Sequence, residues 1–113
     1  MIKKFKTPAS ELVQLIQPMG SCVASDKITV DGENVQYMYR ENPFFDTDCG
    51  WRFFSSSESQ EYIDNPHNLM IYDVNTIANC DKAIIPYLHL EIGIELQRIK
   101  DSETFIVLNG SQN

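Results

Sequence analysis

Two sets of side chains in this sequence have the types that chemistry uses: a cysteine with two distant histidines, and a dense run of carboxylates. Cys49 stands between Asp48 and Gly50, and His67 and His89 are the two imidazoles that could serve it as a base. A cysteine nucleophile needs an imidazole at hand to hold it as thiolate, and a third group to orient that imidazole. Neither histidine lies in such a motif, and the neighbouring Asp48 raises a thiol pKa where catalysis would lower it. A free cysteine is more often a small buried hydrophobe. A small-ligand or enzyme site around Cys49, Arg52 and His67 therefore stands as the alternative reading.

The carboxylates Asp46, Asp48, Glu58, Glu61 and Asp64 are dense enough to suggest calcium, but the fixed alternation of oxygen ligands with a glycine and a closing glutamate is missing. The plainer reading is a solvated acidic loop. Histidines and cysteines never come within zinc-motif spacing, and no two glycines lie close enough to cradle a phosphate. No metal and no other cofactor is expected.

The most distinctive stretch is Asp46-Thr-Asp-Cys-Gly-Trp-Arg-Phe-Phe. Tryptophan and arginine are enriched at protein–protein hot spots, where a rigid ring or a forked cation gives much affinity per side chain. In strand register Trp51 and Phe53 share one face, and the ordinary fate of Trp51 is the core. Arg52 then faces the other way with Phe54, toward a partner or toward internal carboxylates such as Asp46 and Asp48.

Composition narrows the class. The chain has 113 residues, 42% hydrophobic and 22% charged, which suits one α+β domain over 1–113 and is too short for two cores. Nine basic residues against sixteen acidic ones give a net charge of −7, which disfavours nucleic acid and anionic membrane surfaces. That charge serves solubility and steering toward a basic partner. Three cysteines at wide spacing make no disulfide framework, the start MIKKFKTPASELVQ lacks a signal-peptide apolar run, and no stretch approaches a membrane span. A cytoplasmic location is expected.

The elements that must position these residues can be traced along the chain. Thr7 and Pro8 suit the start of a helix, Leu12, Leu15, Ile16 and Met19 recur on one face, and Pro18 and Gly20 end it. Ser21–Ser25 reads as a strand, with Asp31-Gly32 as a turn. Along 34–40, Val35, Tyr37 and Tyr39 alternate with Gln36, Met38 and Arg40, as in a half-buried strand. Strand character resumes over Gly50–Ser55, and Glu58–Asp64 reads equally as a short helix or an ordered loop. A turn at Asn65-Pro66, a strand over Leu69–Val74 and short helical turns over Asn75–Leu90 follow, with Asp81 as a cap. Ile92, Ile94 and Leu96 alternate into a final hairpin that turns at Lys100–Glu103, and 109–113 reads as a frayed tail. Short connections favour a mainly antiparallel sheet of five or six strands with the N-terminal helix on one face.

Several separated motifs together resemble the immunity protein 33 domain family. They are Cys22-Val-Ala-Ser-Asp-Lys, Val35 through Tyr39-Arg40-Glu41, Asp48-Cys-Gly-Trp-Arg-Phe, Glu58, Glu61-Tyr62, Asn75-Thr-Ile-Ala-Asn, Asp81 and Ile85-Pro86, so the likeness covers about residues 20–99. Departures are Cys49 where serine is common, Cys80 where an aromatic is common, Lys82 where proline is common, and Ser55-Ser-Ser in place of a glycine-containing turn. The resemblance implies a bacterial cytoplasmic protein, in many cases encoded beside polymorphic toxins, that inhibits a cognate toxin by binding without turnover. The family motif carries over onto Ser25, Asp26, Tyr39, Arg40, Asp48, Gly50, Trp51, Arg52, Phe53, Tyr62, Asn75 and Asp81. Among these, Gly50 suits a tight backbone, Asn75 a turn and Asp81 a cap, while Arg40, Asp48 and Arg52 suit either one buried ion network or a partner-facing set. The partner surface expected is Asp46, Asp48, Arg52, Glu58, Glu61 and Asp64 against a basic toxin surface. A homo-oligomer through an exposed strand edge is a further arrangement the sequence allows.

Overall fold

The period-two segments become six strands: β1 Ser21–Ser25, β2 Tyr37–Arg40, β3 Asp48–Phe54, β4 Leu69–Asp73, β5 Glu95–Arg98 and β6 Phe105–Val107. The computed structural model describes residues 3–108, and the tail expected at 109–113 lies outside them. The strands form one sheet in the order β4-β1-β3-β2-β5-β6. Three short helices accompany it, α1 Asp26–Thr29, α2 Gln60–Asp64 and α3 Val74–Cys80, with 3-10 turns at Ala9–Glu11, Pro66–Asn68 and Lys82–Tyr87. This is an α+β fold with a mostly antiparallel sheet.

One pair departs from the antiparallel expectation. β1 and β3 run parallel, with Val23 opposite Arg52 and Ala24 opposite Phe53. The cause is the route of the chain: β2 is laid down beyond the place of β3, and the antiparallel β2–β3 pair then brings β3 back between β2 and β1.

Alternation sorts the side chains onto two faces. Ala24, Met38, Trp51, Phe53 and Leu96 point to a core completed by Ile28 of α1, by Val74, Ile77 and Ala78 of α3, and by Ile84 and Leu88. Trp51 and Phe53 stack at 5.9 Å, as their shared parity requires. Val35 is buried too, although it precedes β2; its N–H reaches Asp81 Oδ2 at 2.9 Å and its carbonyl accepts from Arg98 Nε at 2.8 Å.

The expected N-terminal helix is not formed. Only the 3-10 turn at Ala9–Glu11 is helical, and the backbone is extended from Leu12. The reason is a clamp about sixty positions away in the chain. Asn75 Oδ1 accepts from Leu15 N at 2.8 Å and Ile16 N at 3.3 Å, and Asn75 Nδ2 donates to the Val13 carbonyl at 2.9 Å. Asn79, one turn along α3, accepts from Val13 N at 3.1 Å and donates to the same carbonyl at 2.8 Å. These amides take the backbone groups a helix would have paired internally, and Leu15, Ile16 and Met19 still pack against the core. Asn75→Ala should therefore free this segment at a cost of about 1–3 kcal/mol, with faster amide exchange at Leu15 and Ile16 and little change at β3.

β5 also starts later than the apolar alternation suggests. Gly93, at φ +104°, turns the chain and donates its N–H to the Arg40 carbonyl at 2.7 Å. Ile92 is left before that turn, 47% exposed.

Candidate protein-binding face

Helices α1 and α3 supply the core on one face of the sheet, and the second face carries exposed Ile71 and Ile106. Cross-strand register lines up Ile71, Val23, Arg52, Tyr39 and Glu95 in one row, with Phe54, Tyr37, Gln97 and Ile106 beside it. At its centre lies Arg52, which is buried although it faces away from the core. Its guanidinium holds Asp48 with two bonds, Nη1 to Oδ1 at 2.9 Å and Nη2 to Oδ2 at 2.7 Å, and Nε donates to Glu41 Oε2 at 2.6 Å. Asp48 also accepts from Gly50 N and Phe44 N, both at 2.8 Å. Each oxygen of a buried carboxylate is thus paired twice, which is what its desolvation requires. Arg52, with help from those two N–H groups and against the effect of burial, holds the Asp48 carboxyl down at about 2.

Two local features let the network form. Gly50 sits at φ +98°, where a Cβ would lie 2.1 Å from the Glu41 carbonyl oxygen, so the strand can curl around Asp48 only with glycine there. The β2 alternation sends Arg40 to the core side and Glu41 to this one. Phe44, 77% exposed, lies over the Arg52 guanidinium at 5.3 Å.

Beside the network is an aromatic group. Tyr39 stacks on Phe54 with centroids 6.2 Å apart and planes 7° apart, and Tyr37 packs against Tyr39 at 5.7 Å. Glu95, directly across from Tyr39, accepts the hydroxyl of Tyr37. Burial first, and then Glu41, push the Tyr39 phenol up, with Arg52 opposing. Tyr39 therefore stands among Glu41, Arg52 and Glu95. Half-buried tyrosines rimmed by carboxylates suit a protein contact, since they give rigid amphipathic area with few rotamers to freeze.

The expected partner residues divide. Asp48 and Arg52 lie inside the ion network. Asp46 is exposed before β3, whereas Glu61 and Asp64 are exposed on α2, beyond the far end of that seven-residue strand, roughly 20 Å away. Glu58 folds back onto Ser55, accepting from its N–H at 2.8 Å and its hydroxyl at 3.1 Å. The acidic run is therefore two patches, not one loop.

The family-motif residues take up framework positions. Ser25 caps α1 by accepting from Lys27 N at 3.0 Å, and Asp26 pairs with Lys3 at 2.8 Å. Tyr62 lies under the Lys27 ammonium at 5.1 Å. Asp81 caps the Lys82–Tyr87 turn and binds the buried Arg98. Arg40 stands apart from the Arg52 network: it donates to the carbonyls of Cys49 at 2.8 Å and Leu90 at 2.7 Å, above Trp51.

The residues of the alternative site are not brought together. Cys49 is next to the Ser21 end of β1, whereas His67 is exposed just before β4, whose Leu69 pairs with Ser25 at the other end. Burial pushes the Cys49 thiol up, away from thiolate. Among the described residues no three His, Cys, Asp or Glu side chains are grouped to hold a metal ion, and no helix is long and apolar enough to cross a membrane. Reading by sequence missed Glu95, Asn79 and Arg98, whose partners are distant in the chain. Glu41 was within reach, because Tyr37, Tyr39 and Glu41 share the same parity.

A model of the immunity protein Imm33 domain matches residues 22–109, most of the chain, which therefore belongs to that family. No curated protein and no solved structure matches it.

Proposed function

We propose that this member of the immunity protein Imm33 domain family neutralises a cognate bacterial toxin in the cytoplasm by binding it, without turnover or a cofactor. The family match over residues 22–109 carries the reading. The open sheet face supports it: Tyr37, Tyr39, Phe54 and exposed Phe44 provide aromatic contact area over a rigid ion network. Exposed Asp46 before β3 is one acidic patch and Glu58, Glu61 and Asp64 form a second, and both steer the partner. A net charge of −7 favours a toxin with a basic surface, and a nuclease, whose nucleic-acid groove is positive, fits that description.

Affinity capture of the tagged chain from its own host tests this. A toxin domain encoded nearby should co-purify in stoichiometric amount, and co-expression of the two should restore growth that the toxin alone arrests. Failure to retain that toxin, or growth arrest despite co-expression, counts against the reading. Its association rate should fall steeply between low and physiological salt; a salt-independent rate would remove the charge argument.

A further inference from the structure

We infer that a cavity between the N-terminal segment and the helix-bearing side of the sheet binds a small neutral molecule with one aromatic ring. The site is separate from the Tyr39 row and does not depend on the toxin. Among the described residues, Phe5, Thr7, Ala9 and Leu12 form one wall, and Thr29 of α1, Tyr72 of β4 and Thr76 and Cys80 of α3 form the other. Tyr72 lies across from Cys22, which sets it on the core side, away from exposed Ile71. The volume is about 160 Å³, and an apolar cavity of about 150 Å³ is large enough to hold a benzene ring.

The walls set the ligand class. Phe5 meets Tyr72 edge to face, with centroids 6.0 Å apart and planes at 87°, and two rings at right angles suit a third ring in the corner between them. No charged side chain lines the cavity. Of the charges close by, Asp26 is paired with Lys3 at 2.8 Å, and Asp81, which follows Cys80, is held by Arg98. An ionised ligand would therefore be buried without a counter-charge. The Thr29 and Tyr72 hydroxyls bond each other at 3.0 Å. Burial, against a hydrogen bond from Thr7, pushes the Cys80 thiol up, so it stays protonated at neutral pH. The one other hydroxyl in the walls, Thr76, suits a ligand that carries a single alcohol.

The segment is pinned on both sides of the cavity. Lys6 N donates to the Thr29 carbonyl at 2.8 Å, and Asn75 and Asn79 hold residues 13–16. Between these anchors the chain makes only the 3-10 turn at Ala9–Glu11. The cavity thus exists only while the segment is docked, and a ring touching both walls holds it there.

Benzyl alcohol titrated into the 15N-labelled full chain tests the site, with benzoate as its charged counterpart. Saturable amide shifts centred on Leu12, Thr29, Tyr72, Thr76 and Cys80, and absent at Tyr39, are expected for the alcohol and not for benzoate. Equal responses to the two, or no saturable shift at these residues, overturn the site. Amide exchange at Leu15 and Ile16 should slow about tenfold when the alcohol is at ten times its dissociation constant, because only the docked segment completes both walls. Unchanged exchange there means that the ring does not hold the segment, and overturns the inference. Cys80→Leu, checked for a wild-type fold by its amide spectrum, fills the cavity and should weaken binding at least tenfold; undiminished binding places the ring elsewhere. The wild-type titration decides the matter even if that variant fails to fold.

Discussion

Asp48→Ala is expected to lower the stability of the protein by about 3–5 kcal/mol, because it removes one half of a buried ion pair and strands the other. The Asp48 side chain is fully buried and Arg52 is only 4% exposed, so neither charge can turn to water. Glu41 would remain as the sole carboxylate on Arg52, and the N–H groups of Gly50 and Phe44 would lose their acceptor. Small domains hold only about 5–15 kcal/mol in all, so a large share of the fold is at stake. Urea unfolding followed by circular dichroism reads the loss directly, and a cost below about 1 kcal/mol would show that the network contributes little. Pairing the change with Arg52→Met should cost less than the sum of the two single variants, because the double variant leaves no fully buried charge behind, only Glu41, a third of whose side chain is exposed.

The same carboxylate sets an acid limit. Its pKa is depressed in the fold, from the ordinary value near 3.9 to about 2, so its contribution is complete above pH 4. It is lost as the pH falls from 4 through 2, where the native carboxylate must take up a proton. The full pKa difference corresponds to about 2–3 kcal/mol. Melting temperatures measured across pH 2–5 should drop for the wild type by more than for Asp48→Asn, which has no proton to bind there.

Trp51→Ala is the second large effect, expected at about 3–5 kcal/mol. Trp51 is the largest of the fully buried side chains, stacked on Phe53 and covered by the Arg40 guanidinium at 5.8 Å. Its indole N–H donates to the Leu88 carbonyl at 3.0 Å, tying β3 to the segment after the Lys82–Tyr87 turn. Truncation leaves a cavity and an unpaired carbonyl together. Trp51→Phe separates them: it fills much of the volume, loses the hydrogen bond, and should cost about 1–3 kcal/mol. Equal losses for Phe and Ala would mean that packing contributes little beyond the hydrogen bond.

Much of this arrangement could be read along the chain. Strand parity placed Trp51 and Phe53 together and Arg52 opposite, and the alternation of Tyr37, Met38 and Tyr39 matches their final faces. The Asp31-Gly32, Asn65-Pro66 and 100–103 turns and the Asp81 cap also follow from local chemistry. The N-terminal helix failed because its apolar spacing serves equally well in an extended strap once Asn75 and Asn79 supply the hydrogen bonds. No local pattern reveals a clamp that far away.

The sequence by itself determined which side chains share a face, where the chain turns, the family and the sign of the overall charge, because each depends on neighbours a few residues apart or on composition. Only the tertiary structure decided that Arg52 is a buried frame and Arg40 a separate brace. It also split the acidic run into two patches and brought Tyr39, Glu41 and Glu95 together on an open face. Those outcomes depend on strand order and register, which set distances between residues remote in the chain, and it is at such distances that hydrogen bonds and ion pairs form.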